Sequence, residues 1–261
     1  MSGAALDLSI LAPAFIAGML VLATHVPLGM QVLARGIVFI DLAIAQIAGL
    51  GVIAADSMGW EPQGLAVQAA AVGAALLGGL VLAHTEKRWP ETQEALIGVM
   101  FVLAASGGIL FVAGNPHGGE HLVDLLAGQI LWVGYAQLLP AAAATAAIAA
   151  LWFFRREKPA GSGFYALFAV AVTVSVQLVG IYLVFASLII PALATRRCPP
   201  RNRMARAFLI GTAGYGTGLA LSAWLDLPSG AVIVWVMALI GAVVYGWGSR
   251  KSGASPTAEA P

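Results

Sequence analysis

Apolar runs long enough to cross a lipid bilayer recur along this chain, and they restrict its fold more than any other feature. They fall near residues 10–33, 36–56, 64–83, 94–113, 125–153, 164–181, 183–195, 207–225 and 229–248, divided by polar breaks such as "DSMGWEPQG", "HTEKRWPETQ" and "RRCPPRNR". About 20 helical residues at roughly 1.5 Å per residue cover the roughly 30 Å of hydrocarbon. Lipid offers no partner to backbone N–H and C=O, so such runs must be helices or strands of a closed barrel. A barrel would show alternating segments of about ten residues, and none stands out. The expectation is an all-α, polytopic transmembrane helical bundle of about nine spans. Composition agrees: 60% of the chain is hydrophobic and 10% charged, against about a quarter charged in a soluble domain.

The chain reads as one transmembrane domain over 1–251, with a small, polar, disordered cytoplasmic tail over 252–261. The head before Ile10 has no basic residue, and the first run is longer than a signal-peptide core, so it reads as a retained helix. The seventh run is short and carries Pro191, which leaves open a full crossing or a broken, re-entrant helix. Pro140 is expected to kink the fifth. Gly211, Gly214 and Gly218 have the small-residue spacing that suits close helix packing.

Charge gives the sidedness, because basic residues accumulate in cytoplasmic loops. The thirteen basic residues are Arg35, Lys87, Arg88, Arg155, Arg156, Lys158, Arg196, Arg197, Arg201, Arg203, Arg206, Arg250 and Lys251. With nine crossings, an external N-terminus and a cytoplasmic C-terminus, all of them lie on the cytoplasmic side. Asp7, Asp56, Glu61, Glu120, Asp124 and Asp226 then lie on or near the outer face, which is acidic only. Eight crossings would put "RREKP" and "RRCPPRNR" on opposite sides and break the rule.

In this topology "NPHGGEHLVD" (115–124) is an external loop. His117 and His121 are four apart, as are Glu120 and Asp124, so on a helical turn all four face one side. Gly118 and Gly119 favour a loop that wraps an ion instead. Imidazole with carboxylate suits zinc, and also manganese or iron(II); the alternative is a polar loop at the headgroups. Inside the spans, ionisable groups are expensive and point to function by default. His25, Asp41 and Glu94 are the candidates, supported by the amides of Gln46, Gln68, Gln129, Gln137 and Gln177. Each has a structural alternative: Glu94 as a helix-start acid beside Arg88, Asp41 paired with Arg35, and His25 bonded to a neighbouring carbonyl.

The stretch "TRRCPPRNRMARAF" holds Arg196, Arg197, Arg201, Arg203 and Arg206 around a proline pair. The prolines are expected to end the seventh helix, and residues 201–206 to form a short amphipathic helix on the cytoplasmic face. That piece either docks a partner protein or meets anionic membrane lipid. The single cysteine, Cys198, has no CxxC partner. The chain shows no GxxxxGK loop, GxSxG elbow or HExxH helix, so no enzymatic activity is expected, and energy for uphill transport must come from a partner or an ion gradient.

The segments "HVPLGMQVLARGIVFIDLAIAQIAGLGV" (25–52), "ETQEALIGVMFVLAA" (91–105), "DLLAGQILWV" (124–133) and "LVFASLIIPALATRR" (183–197) resemble the membrane subunits of bacterial zinc/manganese ABC importers, in order, over about residues 10–250. The resemblance implies a homodimeric permease of the bacterial inner membrane. It would receive a divalent metal from an extracytoplasmic metal-binding protein and work with a cytoplasmic ABC ATPase subunit. It also implies that the stretch after "IIPA" is the element that couples to the ATPase, which maps onto Arg196 to Arg206. Many members carry a Ser-His pair in the second span, whereas this chain has Ala45 and Gln46. His117, Glu120, His121 and Asp124 outside, with His25 and Asp41 within, are then the candidate metal-handling residues. Zn2+ is the leading ion, with Mn2+ or iron behind it, no cofactor is held permanently, and no nucleic-acid partner is expected. The rival reading is a proton-coupled secondary transporter in which Asp41 carries the proton.

Overall fold

The computed structural model describes residues 8–61, 64–112, 130–154 and 161–252. Among them are nine α-helices and no strands: α1 (Leu8–Arg35), α2 (Ile40–Ser57), α3 (Leu65–Arg88), α4 (Gln93–Val112), α5 (Tyr135–Phe154), α6 (Ser162–Val179), α7 (Ile181–Ala194), α8 (Pro200–Leu225) and α9 (Ser229–Ser252). Eight are long and apolar enough to cross a membrane, and α7 falls short. With 14 residues, α7 extends only about 21 Å. The all-α transmembrane bundle read from the hydropathy is the fold observed.

The helices break where the chemistry of the chain requires it. Gly36 ends α1 at φ 74° and Gly180 separates α6 from α7 at φ 82°, a region glycine enters without a Cβ penalty. Pro191 lies inside α7 rather than at its end. The helix closes three residues later in a tight turn, with Thr195 N–H donating to Pro191 O and Arg196 N–H to Leu193 O. Three expected boundaries differ. The fifth helix starts at Tyr135, behind a 3-10 turn at Ile130–Trp132, because the Gln137 side-chain oxygen accepts from Gly134 N–H and starts the helix there. The proline pair does not end α7. Pro200 instead occupies the first turn of α8, where its fixed φ suits helix initiation and its missing N–H costs nothing. The expected short helix at 201–206 is therefore the first two turns of the 26-residue α8. The last helix runs to Ser252, so the expected tail, residues 253–261 apart from that one, lies outside the described residues.

Packing depends on backbone proximity at small residues. Gly18 lies against the Tyr215 ring, Gly29 against the Leu188 carbonyl and Gly211 against Leu22, so α1 is locked to α7 and α8. A Cβ on Gly214 or Gly218 would meet Met237 or Ile233 of α9 at 2.9 and 2.7 Å. The glycine spacing expected to suit helix packing thus divides its work: Gly211 faces α1, and the other two face α9.

Candidate functional site

The described basic residues gather at one end of the bundle. Arg35, closing α1, lies 4.0 Å from the ring centre of Phe164 at the start of α6, and 3.9 Å from Glu86 in the last turn of α3. Lys87 and Arg88 share that turn. Phe39 N–H, just before α2, donates to Glu94 Oε1 in the first turn of α4. Arg197, beyond α7, stacks at 4.6 Å over Tyr245 near the end of α9. The end of α1, the start of α2, the end of α3 and the starts of α4 and α6 are therefore neighbours, the turn after α7 adjoins the end of α9, and the contact of Gly29 on α1 with Leu188 and Ala192 on α7 brings the two groups to one end. Helix α6 starts and α7 ends at this end, so they run out and back as a pair, with the 14-residue α7 as the shorter arm.

Gln93 ties this end together. Its amide donates to Leu82 O at 2.9 Å and to the Tyr165 hydroxyl at 3.1 Å. Its carbonyl oxygen accepts from Thr85 at 2.9 Å. Buried among apolar side chains, the amide has a partner for each of its atoms, which joins the α3–α4 connection to α6. Sequence reasoning passed over it, since a glutamine beside charged residues looks like an ordinary polar boundary.

The arginine segment forms the rim. Arg196, Arg197, Arg201 and Arg206 are exposed and Arg203 is half-buried. Arg206 Nη1 donates to Cys198 Sγ at 3.3 Å, which folds the turn back on the first two turns of α8. The start of α8 connects rigidly to the core. Tyr215, four turns further along, is fully buried, and its hydroxyl lies 2.9 Å from Ser187 of α7.

The in-span candidates are buried in separate places. His25 is fully buried on α1, on the helical face that carries Leu22 and Gly29 toward α7 and α8. Its Nδ1 lies 3.1 Å from Val21 O and 3.0 Å from the Thr24 hydroxyl. With the proton on Nδ1, the buried Nε2 has no hydrogen-bond partner among the described residues. Asp41 is 1% exposed in the first turn of α2, where the helix dipole favours an acid, and its Oδ1 is also without a partner among them. Arg35 pairs with Glu86 rather than Asp41, and Glu94 is the helix-start acid expected, in the first turn of α4, where its Oε1 accepts from Phe39 N–H. His117, Glu120, His121 and Asp124 lie outside the described residues, as does Gln129. Among the described residues no group of three or more His, Cys, Asp or Glu side chains is placed to hold a metal ion.

Gln46 differs from these. It is half-buried and lines a groove of about 310 Å³ between α2, α4 and the start of α7, among Leu42, Leu50, Phe101, Ala105 and Tyr182. Asp41 does not border this groove. Gln68 is half-buried, and Gln137 and Gln177 are exposed.

Known proteins place this architecture. The PsaBC complex from Streptococcus pneumoniae, solved with a Fab, superposes with a TM-score of 0.73 at 18% identity, covering 92% of each chain. A structure described as an inward-facing conformation of a metal-chelate type ABC transporter gives a TM-score of 0.62 at 17% identity, covering 92% of this chain and 85% of that one. At such identities the likeness establishes the fold. The sequence model of the ABC 3 transport family matches residues 7–160 and 159–246, nearly the whole length. The chain is a multi-pass protein of the cell membrane and belongs to the ABC 3 transport family, as a membrane subunit rather than the ATPase.

Proposed function

We propose that this chain is the permease subunit of an ATP-driven importer for a divalent transition metal, with zinc as the ion and manganese or iron as the alternatives. The observation that carries the reading is the family match over nearly the entire chain. The metal-chelate type transporter among its structural neighbours supports a metal cargo, and the imidazole and carboxylate groups of His117, Glu120, His121 and Asp124 suit one. The working form is a homodimer, joined by a cytoplasmic ABC ATPase and an extracytoplasmic metal-binding protein.

The chemistry follows from charge and coordination. A face without Lys or Arg attracts a doubly charged cation and disfavours anions. The external histidines and acids take the ion from the binding protein with few ligands, since full tetrahedral coordination would hold it too tightly for release. Gln46 offers a neutral oxygen along the α2–α4 groove, in place of the imidazole the family resemblance leads one to expect. His25 Nε2 and Asp41 Oδ1 are reserves of coordination that open only if the packing of α1 and α2 moves. Arg196 to Arg206 meet the ATPase, whose closure pushes on the start of α8.

Radiolabelled zinc uptake tests the proposal, in cells lacking their own importers and expressing this chain with its ATPase and binding protein. Uptake that requires all three components, and that unlabelled zinc suppresses better than manganese or iron(II), is expected. Uptake that persists without any ATPase would support the proton-coupled alternative, which the buried carboxyl of Asp41 favours.

A further inference from the structure

The end of the bundle opposite the arginines carries a second groove, of about 510 Å³, which shares only Tyr182 with the Gln46 groove. It is lined by Leu131 and Trp132 before α5, Tyr182 of α7, and Leu227 to Ala231, Val234 and Trp235 around the start of α9. Three observations give it chemistry. First, Val232 N–H is the first in α9 to find its backbone acceptor, Pro228 O at 3.1 Å. The N–H groups of Ser229, Gly230 and Ala231, residues that line the groove, have no backbone partner among the described residues and form the positive end of the helix dipole. Second, Ser229 is only 9% exposed and lines the groove, and its hydroxyl makes no hydrogen bond among the described residues. Third, Trp132 and Trp235 are 81% and 71% exposed, with indole faces free to receive a cation. From the groove the exposed stripe Trp235, Leu239, Val243 runs along α9 toward the other end.

We propose that this groove is a binding site for a zwitterionic phospholipid: the phosphate on the α9 N-terminus and Ser229 Oγ, the headgroup ammonium against Trp132 and Trp235, and an acyl chain along Leu239 and Val243. The donors suit an anion but are neutral, and the chain has no Lys or Arg on this side of the bundle in the described residues. The nearest charge in sequence is the exposed carboxylate of Asp226. That combination favours a headgroup with its own ammonium over a purely anionic one. Tryptophan gathers at the level of lipid headgroups, which is where a turn between two spanning helices ends.

Native mass spectrometry of the full chain tests this, with release from nanodiscs made of phosphatidylethanolamine, phosphatidylglycerol or an equal mixture. One phosphatidylethanolamine retained per chain, preferred over phosphatidylglycerol by about tenfold in the mixture, is the expected result. Ser229→Ala combined with Trp235→Leu should lower that retention about tenfold, the combined loss of a hydrogen bond and a cation–π contact. Both positions are tolerant: one change removes an unpaired hydroxyl and the other alters an exposed side chain. An unchanged melting temperature confirms that the variant folds. No retained lipid, equal retention of phosphatidylglycerol, or full retention by the folded variant would each overturn the proposal. So would protection of Trp235 by a second copy of the chain with no lipid bound.

Discussion

Tyr215 on α8 donates its hydroxyl hydrogen to Ser187 on α7. The direction follows from the partners. The single hydrogen of Ser187 Oγ is committed to Leu183 O at 2.7 Å, so the 2.9 Å contact with Tyr215 must take its hydrogen from the tyrosine. The Tyr215 ring also fills the space that Gly18 leaves on α1. One side chain therefore fixes three helices, one of which begins in the arginine segment.

Tyr215→Phe keeps the ring and loses the bond, leaving Ser187 bonded to Leu183. It should cost about 0.6 kcal/mol, the average for such bonds within membranes. Tyr215→Ala empties the pocket and should cost about 3–5 kcal/mol. Thermal unfolding of the detergent-purified chain measures both. Equal losses would show that the hydroxyl, not the ring, holds the three helices together.

Gly29 and Gly218 allow no side chain. Added Cβ atoms would run into the Leu188 carbonyl and the Ile233 backbone, and neither can move out of the way as a flexible side-chain tip would. Gly29→Ala and Gly218→Ala should each destabilise the bundle by about 1–3 kcal/mol, the usual range for overpacking. Gly73→Ala, with open space around its Cβ position, should be neutral or slightly stabilising through helix propensity. The yield of monodisperse protein ranks the three.

Arg35's contacts with Glu86 and Phe164 are of unequal worth. Its separation from Glu86, 3.9 Å, is long and the pair is partly exposed, whereas its guanidinium lies squarely over Phe164 at 4.0 Å. Glu86→Gln should cost no more than about 0.5 kcal/mol, and Arg35→Lys, which loses the planar stack, about 1 kcal/mol. A double-mutant cycle between Arg35 and Phe164 should return a larger coupling than one between Arg35 and Glu86.

Gln93→Glu replaces a bonded amide with a buried carboxylate that cannot donate to Leu82 O or the Tyr165 hydroxyl. The loss should be about 1–3 kcal/mol at neutral pH. It should shrink as pH falls through the carboxyl range, because the neutral acid regains one donor. Melting temperature measured across pH reads this directly, and the wild-type chain should not show the same trend.

Hydropathy and charge made the helices and their common basic end legible, because both are set locally: an apolar run must cross, and a cation must stay out of the lipid. The Phe164 and Arg197 contacts then join ends that the charges had only assigned to one side. Partnerships across the chain were harder to see. Gln93 and Tyr165 are 72 residues apart, and no local pattern marks either as the other's partner. Asp41 with Arg35 looked natural from six residues of separation, but helix packing delivered Glu86 to that arginine instead. The proline pair misled for a physical reason: proline ends a helix or begins one according to which side the helix lies, and sequence alone showed helices on both sides. Of the six candidate metal-handling residues, only His25 and Asp41 fall among the described residues, and they occupy separate buried positions.

The central claim is that the arginine end faces the cytoplasm, where an ATPase reaches it, and the opposite end faces out. Single cysteines at Met58 and Arg201, introduced after Cys198→Ala, measure this with a membrane-impermeant maleimide applied to intact cells. Both positions are exposed at helix ends. The account predicts labelling at 58 in intact cells and at 201 only after permeabilisation; labelling at 201 in intact cells, with 58 protected until the membrane is opened, would contradict it.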